Sequence, residues 1–138
     1  IRNAVNNLGG TLERKDYKDN SYLLCLALSG DEHDLPLIMT KQILQMNGIP
    51  VINCGRNTPA NSIKKLIKKF QPDKIIVSLT YIENKQLAKQ ELNHLFKIVS
   101  DHQVTIYVGG SNFTYLSKKQ YNKAKMLYSM ADVSQIRF

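Results

Sequence analysis

Ser21-Tyr-Leu-Leu-Cys-Leu-Ala-Leu28, running directly into Ser29-Gly-Asp-Glu-His-Asp34, is the stretch on which the reading of this chain turns. Its first half is an unbroken apolar run of strand length. A strand solvated on one side would alternate, so this one is expected to be buried on both faces. Its second half is a polar, strongly charged loop. Downstream, Leu37, Ile38, Ile43, Leu44 and Met46 recur at helical spacing and predict a helix over 35–47, stopped by Gly48. Residues 49–54 form a second short apolar run, with Pro50 tolerable near a strand start or on an edge. Residues 55–59 read as a loop, in which Thr58 is a candidate helix N-cap and Pro59 the first helical residue. A helix follows over 60–70, with Ile63, Leu66, Ile67 and Phe70 on one face. Gln71-Pro-Asp73 then turns the chain into a third strand over 74–79. The same alternation gives a long helix over 83–102, a fourth strand over 104–108 closing on Gly109-Gly110, and a last helix over 117–130. A short final strand or tail covers 133–138.

Strands alternating with helices at this spacing require a parallel sheet covered on both faces. Right-handed crossovers leave few arrangements of five such strands, and the flavodoxin-like (Rossmann-like) order 2-1-3-4-5 is the expected one. Working back from Ser21, residues 11–20 are polar and read as a linker. Residues 1–8, closed by Gly9-Gly10, read as the end of a helix. The expected organisation is therefore an upstream helical end plus linker over 1–20 and an α/β domain over 21–138. Because the chain opens on Ile1, it is read as a piece of a longer protein.

The composition suits a folded domain: 138 residues, 43% hydrophobic and 22% charged. No apolar run approaches the roughly 20 residues that span a bilayer, and no secretory pattern opens the chain, so a cytoplasmic protein is expected. Cys25 and Cys54 lie inside apolar runs and read as buried free thiols. The net charge of +8 raises the question of nucleic acid. Much of it comes from the doublets Lys64-Lys65, Lys68-Lys69 and Lys118-Lys119, which read first as solvated helix faces.

Ligands of open parallel sheets bind outside the carboxyl ends of the strands, which singles out four loops. The loop after the first strand is the richest, with Asp31, Glu32, His33 and Asp34 in one turn. An imidazole there suits a metal ligand, a general base or an exposed charge-paired group. Asp31, two residues before His33, is close enough to hold one ring nitrogen and leave the other free. Ser78 and Thr80 put small hydroxyls at the end of the third strand. Gly109-Gly110, without Cβ atoms, either turns the chain or lets a flat group approach the backbone. A phosphoacceptor site needs an acidic residue where the third strand instead ends in Ser78-Leu79-Thr80. No phosphate-binding glycine pattern follows any strand, and Ser78 lacks a nucleophile elbow. His94 and His102 are expected at the surface of the long helix or just after it.

Together these pieces resemble the cobalamin-binding domain family, whose members carry D-x-H-x-x-G, then S-x-L or S-x-T, then G-G at the ends of strands 1, 3 and 4. The matching residues are Asp31-x-His33-x-x-Pro36, Ser78-x-Thr80 and Gly109-Gly110. The wording of Gly30-Asp-Glu-His-Asp-Leu-Pro36, Cys54-Gly55-Arg-Asn-Thr-Pro59 and Val77-Ser-Leu-Thr80 is similar to the C-terminal sensor domains of MerR-type transcriptional regulators. The light-responsive, adenosylcobalamin-binding repressors of carotenoid genes are among these. The resemblance covers about residues 22–113. It implies cobalamin, in the adenosyl or another form, bound base-off with His33 on cobalt and Asp31 as its support. Ser78, Thr80, Gly109 and Gly110 would house the displaced tail, and the 55–59 loop with Asn57 and Thr58 would border the corrin. Pro36 departs from the motif, standing where the family carries glycine and restricting Leu35 before it.

By the same resemblance the partners are the corrinoid, an upstream helical bundle and a DNA-binding domain through which alone DNA is met. A homo-oligomer is possible, no membrane is involved, and the role is regulatory rather than catalytic. The competing readings are a cobalamin-carrying module of a methyltransferase or mutase, and a cofactor-free regulatory relic of the same fold.

Overall fold

The computed structural model describes residues 22–137; the expected helix end and linker over 1–20 lie outside the described residues. The elements are β1 (Leu23–Leu28), α1 (Leu35–Met46), β2 (Val51–Thr58), α2 (Ala60–Phe70), β3 (Lys74–Leu79), α3 (Lys85–Asp101), β4 (Thr105–Gly110), α4 (Lys118–Lys123), β5 (Lys125–Leu127) and α5 (Met130–Ser134). The five strands form one all-parallel sheet in the order β2-β1-β3-β4-β5, as the alternation predicts. Every residue of β1 is buried, because its two faces feed two different cores. Leu24, Leu26 and Leu28 pack with α2 and α3 on one side; Leu23, Cys25 and Ala27 pack with α1 and α5 on the other. Each fully buried leucine contributes roughly 1.5–3 kcal/mol relative to exposure, so this strand anchors both layers.

Local chemistry sets the element ends. Asn84 caps α3 by accepting the Leu87 N–H at 3.0 Å, and Ser117 and Gln120 form a reciprocal capping box at α4. Pro36 is the second residue of α1, where an amide hydrogen would have no helical acceptor, so its ring costs the helix no bond.

Four expectations are corrected. The segment read as one helix over 117–130 is α4 followed by β5. Its apolar residues Met126 and Leu127 pair with Val108 and Gly109 at the sheet edge instead of continuing a helical stripe. Consequently the tail read as a strand from 133 begins as the end of α5. Strand β2 extends through the residues read as a loop, reaching Thr58 through two register irregularities against β1. Finally, Thr58 does not cap α2. Its hydroxyl turns back to the carbonyls of Gly55 at 2.9 Å and Cys54 at 3.3 Å, and the first helical amide, Ala60, is met by Glu91 of α3 at 3.3 Å.

Candidate functional site

The carboxyl ends of β1, β3 and β4 converge on a polar triad beside an apolar slot. Asp31 follows β1 and is completely buried, with its carboxylate taken up by neighbours on every side. Its Oδ1 accepts the Thr80 hydroxyl at 2.7 Å and the His33 backbone amide at 3.2 Å, and lies 2.9 Å from His33 Nδ1. Its Oδ2 accepts the Thr80 backbone amide at 3.0 Å. The Thr80 oxygen is itself 2.7 Å from His33 Nδ1. A carboxylate can only accept, so Nδ1 carries a proton, and in the neutral imidazole the lone pair is left on Nε2. The His33 side chain is 53% exposed. A carboxylate so placed holds the tautomer and ring orientation of an imidazole, as it does behind metal-bound histidines.

The loop bearing His33 is clamped from β2. Asn57, whose φ of 53° is left-handed, donates its amide hydrogen to the Asp31 carbonyl at 3.0 Å and accepts the Gly30 amide on Oδ1 at 2.7 Å. Arg56 lies outside this clamp, its guanidinium reaching the Glu32 carbonyl at 3.4 Å. Thr58 is buried and spends its hydroxyl within its own strand. Of the residues read from the 55–59 segment, Asn57 thus acts on the histidine loop and Thr58 on the bulged strand.

A cavity of about 310 Å³ opens next to the triad, between the sheet and the helices α1 and α5. Ser78, Thr80, Gly109, Gly110 and Pro36 all line it, so the structure brings these five residues together around one space, with Thr80 shared between slot and histidine. The remaining wall is mostly apolar: Leu37, Ile76, Leu127, Met130 and Val133, with Tyr128 beside them. Ser78 Oγ is buried and has no hydrogen-bond partner among the described residues. An unpaired buried hydroxyl costs about 1–3 kcal/mol, and a polar atom entering the slot would remove that cost. Gly110 has φ +117°, and a Cβ there would stand 2.0 Å from the Leu79 carbonyl oxygen, so only glycine fits. At Gly109 a Cβ would meet that of Leu127 at 3.3 Å, a tight but adjustable contact.

Sequence reasoning missed the α1 and α5 walls of the slot. Thr40, Met130 and Val133 carry no chemical signature, and α5 was not recognised as a helix. It also missed Tyr115, whose buried hydroxyl donates to the Ile82 carbonyl and accepts the Ile82 amide, both at 3.0 Å, bracing the segment after Thr80. His94 is exposed; His102 is half-buried and sits beside the Ile98 carbonyl at 3.0 Å, far from the triad in the sequence and in the fold. Both cysteines are free; Cys25 is buried as expected but Cys54 is only half-buried, and desolvation pushes the Cys25 thiol well up and the Cys54 thiol up to about 12. Among the described residues no group of three or more His, Cys, Asp or Glu is placed to hold a metal ion, and no helix is long and apolar enough to cross a membrane. A metal meeting His33 would therefore need its other donors from elsewhere, as a macrocycle-bound ion has them. One exposed imidazole backed by a buried carboxylate and an apolar slot with one orphaned hydroxyl fit a corrinoid.

Comparison with known proteins points the same way. No curated protein sequence matches the chain. Among solved structures, the methanol:cobalamin methyltransferase complex MtaBC from Methanosarcina barkeri superposes with a TM-score of 0.67 at 18% identity, over 83% of this chain and 43% of that one. A cobalamin-binding protein from Desulfitobacterium hafniense DCB-2 gives 0.67 at 16% identity, over 83% and 57%. The monomethylamine corrinoid protein of Methanosarcina barkeri gives 0.62 at 19%, over 97% and 64%. The chain thus spans less than two thirds of the length of each of these proteins, and at such identities the likeness shows a shared fold. The sequence profile of the B12 binding domain, however, matches residues 23–130, from the first residue of β1 to the first of α5. With most of its length inside that match, the chain belongs to the B12-binding domain family.

Proposed function

We propose that this domain holds cobalamin base-off, with His33 Nε2 as the lower ligand of cobalt, and serves as the ligand-sensing part of a transcriptional regulator rather than as a catalyst. The observation that supports the first half is the buried Asp31 carboxylate held against His33 Nδ1 at 2.9 Å, which leaves only Nε2 as a donor. Imidazole nitrogen suits a cobalt ion, and the carboxylate behind it raises its basicity. Ser78 would give the displaced tail its one buried hydrogen bond, and Gly109 and Gly110 would leave room for it. When bound, the corrin supplies a cobalt ion with an exchangeable upper axial position. The protein's own part is to fix the imidazole, exclude water from the slot and couple occupancy to assembly.

The regulatory half rests on the resemblance of the Gly30–Pro36 and Cys54–Pro59 wording to MerR-type sensor domains. A second reading, a cobalamin carrier of a methyltransferase, is favoured by the presence of a methanol:cobalamin methyltransferase complex among the similar structures.

Titration with hydroxocobalamin and adenosylcobalamin in the dark, followed by visible absorption, tests the site. A base-off, histidine-bound spectrum that is lost in His33→Ala supports it; cofactor retention with an unchanged spectrum in that variant refutes the lower-ligand role. For the second half, a helix-turn-helix domain upstream in the full-length protein supports the sensor, and an adjoining barrel domain supports the carrier.

A further inference from the structure

Lysine doublets read singly as solvated helix faces fall, in the folded domain, on one side of the sheet. Helix α2 packs against α3, and α4 is tied to α3 by the Gln120 amide donating to Asn93 at 2.7 Å, so the three helices lie side by side. Helix α2 exposes Lys64, Lys65, Lys68 and Lys69 and contains no acidic residue. Helix α3 adds exposed Lys85, Lys89 and Lys97, and α4 adds Lys118, Lys119 and Lys123. Within the three helices the acidic residues are Glu91, half-buried on the α2 N-terminus, and Asp101, with exposed Asp73 and Glu83 in the flanking turns. None of the ten lysines forms an ion pair among the described residues. The rest of the described chain, including the α1 and α5 layer around the slot, is close to neutral.

We infer that the α2–α3–α4 face is a docking surface for the phosphate backbone of duplex nucleic acid, bound without regard to sequence. Helix α3, of 17 residues, is about 25 Å long, and a duplex of that length carries about 15 phosphates. Lysine ammoniums are compact point charges suited to phosphate, and the face has no arginine to read base edges in bidentate fashion. Single strands need aromatic stacking platforms, yet of the large exposed hydrophobic side chains only Tyr121 belongs to these helices. Protein partners are disfavoured for the same reason, since interfaces are built on apolar anchors and are depleted of lysine. The surface lies across the sheet from the slot, so it is available with or without cofactor, and the inference stands independently of the proposed function.

The test is fluorescence anisotropy of a labelled random-sequence duplex with the 138-residue chain, from 50 to 200 mM KCl. If about six lysines engage at once, log K falls with log salt at a slope near −5 and affinity drops roughly 10³-fold over that range. If the four lysines of α2 are among those six, the combined variant Lys64→Ala, Lys65→Ala, Lys68→Ala and Lys69→Ala should bring the slope to about −2, while Arg137→Ala, on another surface, leaves it unchanged. Circular dichroism checks that the exposed substitutions keep the fold. The inference is overturned by any of three results: no saturable binding at 50 mM, a slope unmoved in the combined variant, or poly-glutamate displacing the duplex charge for charge, which would indicate an acidic protein partner.

Discussion

Replacing Asp31 with Asn changes one atom of the site and tests its whole logic. The carboxylate takes hydrogen bonds from the Thr80 hydroxyl, the Thr80 amide and the His33 amide, and faces His33 Nδ1. If the asparagine oxygen occupies the Oδ1 position, its NH2 group meets the Thr80 N–H across 3.0 Å, donor against donor. One charge-assisted bond is lost, at about 1.5–3 kcal/mol, and a buried donor is left unsatisfied, at about 1–3 kcal/mol. If the amide is flipped, its NH2 faces Nδ1, which must then accept, and the proton moves to Nε2, removing the lone pair a metal needs. Either way the loss of stability is about 3 kcal/mol or more, a large share of a typical domain's 5–15. For a domain of this size that lowers the melting temperature by about 10 °C. Cobalamin affinity should fall by about 10–100-fold, as for other supports of metal-bound histidine. Thermal unfolding without ligand and absorption titration with hydroxocobalamin measure the two effects separately. An Asp31→Asn protein melting within 2 °C of the parent and binding equally well would refute the assignment of the carboxylate as the histidine's anchor.

Other outcomes follow from the same geometry. Ser78→Ala removes the orphaned hydroxyl, so the ligand-free domain should gain about 1 kcal/mol in denaturant unfolding while cobalamin binding weakens; a variant losing stability instead would show that the hydroxyl is already satisfied. Gly110→Ala forces a Cβ to within 2.0 Å of the Leu79 carbonyl and should cost about 4 kcal/mol or prevent folding. Gly109→Ala meets only Leu127 at 3.3 Å and should fold, with its defect confined to ligand affinity; equal destabilisation of the two would contradict this division. Cys25 and Cys54 should resist thiol reagents at pH 8 until the chain unfolds, because burial holds both in the neutral form. The raised thiols contribute stability fully below pH 9 and lose it as pH rises from 9 towards about 12, since unfolded thiols ionise first. A melting temperature that does not fall across that range would argue against their burial.

Periodicity determined the two-sided burial of β1, because a continuous apolar run has only one way to hide both faces, and strand–helix alternation with right-handed crossovers pointed to the strand order. The sequence also placed Asp31, His33, Ser78, Thr80 and Gly109-Gly110 at carboxyl ends of strands, where parallel sheets open, and the fold puts them there. What it could not resolve lay where local signals were weak or tertiary partners overrode them. Met126 and Leu127 continue a plausible helical stripe, and only pairing with Val108 and Gly109 turns them into an edge strand. Thr58-Pro59 has the look of a helix start, yet the bulged β2 claims the threonine hydroxyl and a glutamate 31 residues away meets the helix amide instead. Pro36, a departure from the family motif, is harmless to the helix because the fold places it where no amide hydrogen is used. The slot walls from α1 and α5, and the gathering of separate lysine doublets onto one face, are products of which layer each helix joins. Sequence specifies each helix's polar face locally; only the crossovers of the sheet decide which faces end up side by side.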